Sequence, residues 1–362
     1  MESLADIKQV FCRRVEQYFL PGYRGGVVQF FVTDPVDGRF YAEISEGIRF
    51  LEGVHPDPDA AVEMSGATLR RLVDQPGEML GDAIKATGDR DLVSLIAHAA
   101  QPGGGSGRAR LSRLMDRATR PTSPGTEIRR VAAVHSRQLI QLLHEGLPII
   151  LTAMLDASGW RMTFDELKRN FGDLPLVGLD ADILGATPGM STFGALVDDA
   201  LDGGGCGVYS GGCALPGPMH ESFELPLLKP KCFTRPQLWM GRRDFNACTR
   251  LHRDFLHALI GQARGSKKFI LYGPSDAEFL YPGACFNLFQ LARFDPFEPD
   301  LARFPLARQA SPIECELHPG ELLVLPAGWF HTVISNGAVM SVNRFLREDA
   351  WAVLMTRGGF EA

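Results

Sequence analysis

Three side chains of this 362-residue chain have the types and spacing for metal chemistry. The stretch Thr249-Arg-Leu-His252-Arg-Asp254 sets a histidine and an aspartate two positions apart. Pro326-Ala-Gly-Trp-Phe-His331 brings a further histidine 79 positions after His252. Two imidazoles and one carboxylate are the set that holds a non-haem Fe(II) on one face and leaves its other positions open. Alternate residues of a strand point to one side, so His252 and Asp254 can reach one ion while Arg253 turns away. The third ligand must come from elsewhere, and His331 is the best-placed candidate. His257, three after Asp254, could compete for the metal, but a surface place or one behind the ligands is its plainer reading. His318, before Pro319-Gly320, reads as an exposed turn residue, and Trp329 as packing.

The elements that must position these residues follow from periodicity. From about residue 236 the chain is strand-rich: QLWMG, TRLHRD, KKFILYG, IECELHPG, ELLVLPAG, HTVISNG and VMSVNRF. Short strands punctuated by Gly and Pro predict a sandwich or barrel. Residues 254–265 lie between two such strands, and 279–310 form a long Pro- and Phe-rich insertion of the kind that covers a barrel mouth. Upstream, 128–146 read as an amphipathic helix ending at Gly146, 147–155 as a buried strand, 163–171 as a helix with Thr163 as its N-cap, and 190–201 as a further helix. Residues 203–217 are Gly-rich and irregular. Cys206 and Cys213 within them match no zinc spacing and read as loop cysteines.

At the other end, 4–19 carry Ile7, Val10, Phe11, Val15 and Phe19 at helical spacing. Strands are expected at 27–32, 39–45, 47–54 and 60–66, then helix at LRRLVDQ. Residues 78–100 read as a short helix, a Thr-Gly break near 87–88 and a last helix. Helix, several strands, then helices make a small α+β domain. Residues 101–127, with three consecutive glycines and TRPTSPG, read as a flexible linker. The expected organisation is therefore 1–100, a linker at 101–127, and a second domain at 128–362.

Composition bounds the function. The chain is 45% hydrophobic with seven scattered cysteines and no CxxC pair, which fits a reducing cytoplasm. No apolar run is long enough for a membrane span, and the first residues lack the pattern of a secretory signal. The formal net charge of −6 argues against nucleic acid as the main partner. The basic stretch at 101–134 lacks interleaved aromatics and reads as a solvated linker.

Two resemblances sharpen this. VVQFFV, GRFYAEISEG, PDPDAAVEMSGATLRRLV and MLGDAIKATGDRDLVSLI resemble the SCP2 sterol-carrier family over about residues 5–100. That resemblance implies an open sheet covered by helices around an apolar tunnel able to hold a lipid, or a closed copy used for dimerisation or partner docking. TRLHRD, GSKKFILYGP, IECELHPGELLVLPAGWFHTV and SVNRF, in that order over roughly 130–350, resemble the JmjC or cupin-like Fe(II)/2-oxoglutarate oxygenases, nearest the asparaginyl-hydroxylase type. This implies a mainly β double-stranded β-helix (cupin or jelly-roll) domain with flanking helices. It also implies Fe(II), 2-oxoglutarate and O2 as cofactors, with His252, Asp254 and His331 as the iron ligands. By the same resemblance Lys267 pairs with the distal 2-oxoglutarate carboxylate, though a register slip would exchange it with Lys268. Thr249 bonds that carboxylate, Asn343 lines the pocket near iron, and Tyr209 is a looser co-substrate residue. The asparaginyl-hydroxylase type has Asn six positions after the first histidine, where this chain has Ala258.

The reading is a cytoplasmic two-domain hydroxylase. Its substrate is a peptide or protein side chain or an amino-acid-like metabolite, with an apolar ligand in the N-terminal domain and homodimerisation as further expectations. Two rivals are a non-catalytic apolar-ligand carrier on a cupin scaffold and a metal-cupin enzyme that does not use 2-oxoglutarate.

Overall fold

A computed structural model describes residues 4–19, 25–33, 38–45, 47–74, 83–89, 92, 93, 96, 99, 100, 127–179, 189–202, 209–243, 247–285 and 289–358. The expected linker at 101–127, apart from Glu127, and Cys206 lie outside the described residues. By contacts the chain forms two compact units. The first is Met1–Arg113 with Ala181–Gly189 and Tyr281–Phe294, and the second is Leu114–Asp180, Met190–Leu280 and Asp295–Ala362.

In the first unit, helix α1 (Leu4–Tyr18) buries Ile7, Phe11 and Val15 at helical spacing. Strands β1 (Gly26–Thr33), β2 (Gly38–Ile44), β3 (Ile48–Glu52), β4 (Ala60–Ser65) and β5 (Ile84–Gly88) form a five-stranded sheet in the order β3-β2-β1-β4-β5, and α2 (Gly66–Asp74) follows β4. β1 pairs with β4 in parallel and the other pairs are antiparallel. Inward residues alternate along β2, with Phe40, Ala42 and Ile44 buried, as a half-covered strand requires. Phe30 stacks on Phe40 at 4.8 Å between ring centroids, and Phe11 and Phe50 close on both. Ile84–Gly88 is a correction to the helical reading of that stretch. It pairs along β4, whose edge would otherwise leave its amides and carbonyls without partners. The hairpin β15 (Pro282–Cys285) and β16 (Phe289–Ala292), from the Pro- and Phe-rich insertion, belongs to this unit.

In the second unit the expected helix at 128–146 divides. β6 (Arg129–Val131) pairs in parallel with β7 (Ile149–Leu151), and α3 occupies only Ser136–Glu145. His135 sets that start by accepting from Gln138 N while the Gln138 side chain accepts from His135 N. Thr163 and Glu166 make the equivalent box at α4 (Phe164–Phe171). β8 (Pro175–Leu179) and β9 (Gly189–Thr192) form a two-stranded sheet, and α5 (Phe193–Asp202) starts only after β9.

The remaining strands are β10 (Cys213–Ala214), β11 (Gln237–Arg242), β12 (Ala247–Asp254), β13 (Ala258–Arg264), β14 (Lys267–Tyr272), β17 (Ile313–Leu317), β18 (Leu322–Leu325), β19 (Phe330–Ser335) and β20 (Ala338–Phe345), with a final helix α6 (Glu348–Gly358). One sheet runs β10-β11-β20-β13-β18-β7-β6, and another holds the order β12-β19-β14-β17. β13 occupies the stretch left between strands by the sequence reading.

Ala258, Ile260, Leu323 and Leu325 of the first sheet share a core with Phe269, Leu271, Leu317 and Val333 of the second. The residues in between on the first sheet, such as Leu259, Val324 and Val342, pack instead with Leu139, Leu196, Trp160 and Phe223 of the covering helices and turns. Strand alternation thus separates an inner β core from an outer helical layer. Burial of each such Leu, Ile or Phe contributes about 1.5–3 kcal/mol.

Candidate metal centre

His252 of β12 stands directly across from His331 of β19, which in turn faces Leu271 of β14. Leu271 is an inner-core residue, so both histidines project to the inside of the barrel. Asp254 follows two positions on, at the end of β12. The Asp254 backbone carbonyl accepts from Gly328 N at 2.9 Å, which ties the Pro-Ala-Gly-Trp turn to the end of β12. Gly328 has φ 92°, a conformation that favours glycine, in the turn that delivers His331.

One nitrogen from each histidine and one Asp254 oxygen lie within 4.8 Å of one another. His252 Nε2 is 4.0 Å and His331 Nε2 3.7 Å from the Asp254 carboxylate. The other ring nitrogens are engaged: His252 Nδ1 with the Arg250 carbonyl at 2.7 Å and His331 Nδ1 with the Trp329 carbonyl at 3.3 Å. A carbonyl can only accept, so each Nδ1–H donates to it and each Nε2 is turned toward Asp254. Burial raises the Asp254 pKa to about 6, with His252 acting against it. Burial first, and then His252, hold His331 well below the usual histidine range. Two imidazoles and a desolvated carboxylate in one patch are a donor set suited to a cation.

Lys267 is 3% exposed, at the start of β14. Phe269 and Leu271, its alternate neighbours, line the inner core, so the ammonium points inward too. It donates to the Trp239 carbonyl at 3.1 Å and to Ser341 Oγ at 2.6 Å, and Ser341 Oγ donates to Gln262 Oε1 at 2.6 Å. Burial lowers the Lys267 pKa to about 8, opposed by Cys248. Among the described residues no carboxylate lies within ion-pairing distance of it. Lys268 instead faces outward and pairs with Glu314 at 2.7 Å, which fixes the register left open by the sequence. Gly265, φ 62°, makes the turn before Lys267, where a Cβ would stand 2.3 Å from the Ala338 carbonyl oxygen.

Tyr209 is buried with its ring centroid 5.6 Å from Lys267 Nζ and 5.4 Å from the Arg243 guanidinium. Burial first, then Cys248, raise its hydroxyl's pKa well above the usual range. Thr249 pairs with Val333, and Asn343 with Ile260, so both share the inner face. Thr249 Oγ1 and Asn343 Oδ1 are buried with no hydrogen-bond partner among the described residues.

The other singled-out residues go elsewhere. His257 Nδ1 accepts from Ala327 N at 3.1 Å and its ring lies 4.4 Å from that of Trp351. His318 meets Ser266 at the surface, and buried Trp329 donates to the Gly146 carbonyl. Cys213 is buried and free. Sequence reasoning missed Ser341, Gln262 and Cys248. The signal for Ser341 was present, two residues before Asn343 on one strand and hence on one face. Cys248 hydrogen-bonds with Ser335 at 3.2 Å.

Comparison with known proteins places this geometry. Residues 213–350 match the family described as a cupin-like domain. The human tRNA wybutosine-synthesizing protein 5 is 38% identical over 131 residues, 34% of this chain and 40% of that protein. The human bifunctional peptidase and (3S)-lysyl hydroxylase JMJD7 is 34% identical over 125 residues, 29% of this chain and 39% of that protein. Lysine-specific demethylase 8 of Xenopus tropicalis is 35% identical over 95 residues, 26% and 21% of the two chains. The chain spans about two fifths or less of the length of these relatives. Residues 213–350 are thus similar to a cupin-like domain.

Proposed function

We propose that this protein is an Fe(II)- and 2-oxoglutarate-dependent oxygenase. Its reaction is hydroxylation of an unactivated C–H bond on a peptide or protein side chain or an amino-acid-like metabolite. One juxtaposition carries the reading: the His252, Asp254 and His331 patch shares a barrel interior with a buried lysine that, among the described residues, faces no carboxylate. The donor set fits iron, since both Nε2 atoms turn toward one buried carboxylate. The lysine fits a co-substrate dianion, since an ammonium held in a low-dielectric interior gains most from a carboxylate partner.

In this reading His252, Asp254 and His331 hold the metal, and their Nδ1–carbonyl bonds fix the imidazole orientation. Lys267 receives the distal carboxylate of 2-oxoglutarate, with Ser341 and the Trp239 carbonyl orienting its ammonium. Tyr209 walls the same pocket. Thr249 offers an unmade hydroxyl bond to the co-substrate, and Asn343 an unmade amide acceptor for a donor on the substrate. Bound iron would supply the oxidising chemistry that converts 2-oxoglutarate, O2 and a C–H bond into succinate, CO2 and an alcohol. The relative named as a (3S)-lysyl hydroxylase supports oxygenation in general. The lysyl hydroxylase favours a side-chain substrate.

For the N-terminal unit, resemblance to SCP2 proteins supports a docking or carrier role. The filling of its described core by Phe11, Phe30, Phe40 and Phe50 favours docking.

The test is succinate release from 2-oxoglutarate by the full chain with Fe(II) and O2, alongside Asp254→Ala and Lys267→Ala. Iron-dependent release, lost in Asp254→Ala and needing far more 2-oxoglutarate in Lys267→Ala, is expected. Absence of iron-dependent release together with absence of 2-oxoglutarate binding overturns the proposal. Iron binding with a Lys267→Ala protein unchanged in activity and 2-oxoglutarate affinity points to the metal-cupin rival.

A further inference from the structure

A cavity lies on the outer face of the barrel, apart from the metal centre. Its volume is about 420 Å³, and Thr152, Asp156, Trp160, Arg161, Arg264 and Gly320 help to line it. It belongs to the outer layer because Trp160 packs there against Gly261, where a Cβ would come within 2.4 Å of the indole.

Arg264 is the distinctive wall. Its Nη1 donates to the Trp160 carbonyl at 3.0 Å and to the Ala263 carbonyl. Its Nε and Nη2 are buried with no hydrogen-bond partner among the described residues. Those two atoms form the side-on edge of the guanidinium, whose parallel N–H bonds match the two oxygens of a carboxylate or one edge of a phosphate. Buried donors left unmade are costly, so this edge gains by reaching an acceptor.

Local charge chooses between the two oxyanions. Arg161 and Asp156 line the same cavity, and Glu166 acts electrostatically on Arg264. Two cations and two carboxylates leave little net field. A doubly charged phosphate would meet Asp156 and Glu166 unfavourably. A singly charged carboxylate meets less of that repulsion, and Asp156 could receive an ammonium on the same ligand.

We propose that this cavity binds a small organic carboxylate, of the size of an amino acid, through the Nε–Nη2 edge of Arg264. Both nitrogens are screened from solvent as the side chain stands, so binding turns that edge a short way into the cavity. The site is independent of the barrel chemistry proposed above.

The test uses the full chain, titrated with acetate and separately with inorganic phosphate, following the Arg264 Nε–H resonance by NMR. The resonance is assigned by its loss in Arg264→Lys. A saturable shift with acetate at millimolar concentration is expected, as suits a ligand of so few atoms. It should be weaker with phosphate, persist in Lys267→Ala, and disappear in Thr152→Trp, which fills the exposed rim without touching Arg264's own hydrogen bonds. Absence of a saturable acetate shift up to about 100 mM overturns the proposal. So do an equal response to phosphate, loss of the shift in Lys267→Ala, and an undiminished shift in Thr152→Trp.

Discussion

Replacing Lys267 by methionine should strengthen the metal-free fold at neutral pH, or leave it unchanged, while weakening 2-oxoglutarate binding. The fall of the Lys267 pKa from 10.5 to about 8 corresponds to roughly 3 kcal/mol for keeping the ammonium charged inside the folded barrel. Methionine removes that cost. It also removes the bonds to Ser341 and the Trp239 carbonyl, a loss of about 1–3 kcal/mol. The net change at pH 7 is therefore between about zero and 2 kcal/mol in favour of the variant.

The pH dependence has a definite sign. The folded-state pKa is depressed, so the charged lysine destabilises fully below pH 8. The wild type then gains stability as pH rises from about 8 to 10.5, because the folded form sheds its proton first. The variant lacks that gain, so wild type minus variant should rise by roughly 3 kcal/mol over this window. Truncating one partner of a buried charge pair costs about 2–5 kcal/mol, so the variant's Kd for 2-oxoglutarate should rise at least about 30-fold. A bound carboxylate favours the charged lysine. Wild-type affinity should therefore fall about tenfold per pH unit above 8. Urea unfolding at pH 7, 8, 9 and 10, with calorimetric titration of 2-oxoglutarate, measures all three quantities. A variant that binds within about threefold of wild type, or a stability difference flat from pH 8 to 10.5, would refute the reasoning.

Ser341→Ala should leave the fold within about 1–2 kcal/mol of wild type and raise the KM for 2-oxoglutarate about 5- to 30-fold with kcat little changed, since it loosens Lys267 rather than the metal; steady-state kinetics reads this. Gly328→Ala forces a side chain onto φ 92° and should destabilise by about 1–2 kcal/mol in thermal unfolding. Because that turn delivers His331, its iron affinity should fall as well. Phe269→Ala, deep in the inner core, should cost about 3–5 kcal/mol in chemical unfolding, against less than about 0.5 kcal/mol for Lys268→Ala on the opposite face of the same strand.

The amino-acid sequence by itself determined the strands that carry the site, because alternating and continuous apolar runs between Gly and Pro have few other solutions. QLWMG, KKFILYG, IECEL, ELLVL and VMSVNRF all lie where that pattern put them. It also determined the His-X-Asp pair, whose spacing places both groups on one face of a strand. Local rules failed where pairing outweighed local preference. Arg129–Val131 reads as helix by periodicity, yet it is held extended by β7, and Ile84–Gly88 is held by the edge of β4. Short segments gain more from completing a sheet than propensity can oppose.

Tertiary structure alone decided which polar residues meet. Thr249 and His252 are three apart, an odd spacing that strand alternation sends to opposite faces. A bulge in β12, where Thr249 pairs with Val333 but His252 with His331, inserts one residue and turns both inward. The choice between Lys267 and Lys268 was likewise a matter of register, fixed by pairing with Ser335 and Leu317 across two neighbouring strands. The bonds of Ser341, Gln262 and the Trp239 carbonyl around the ammonium join strands far apart in the chain. Spacing along a sequence carries no record of such contacts.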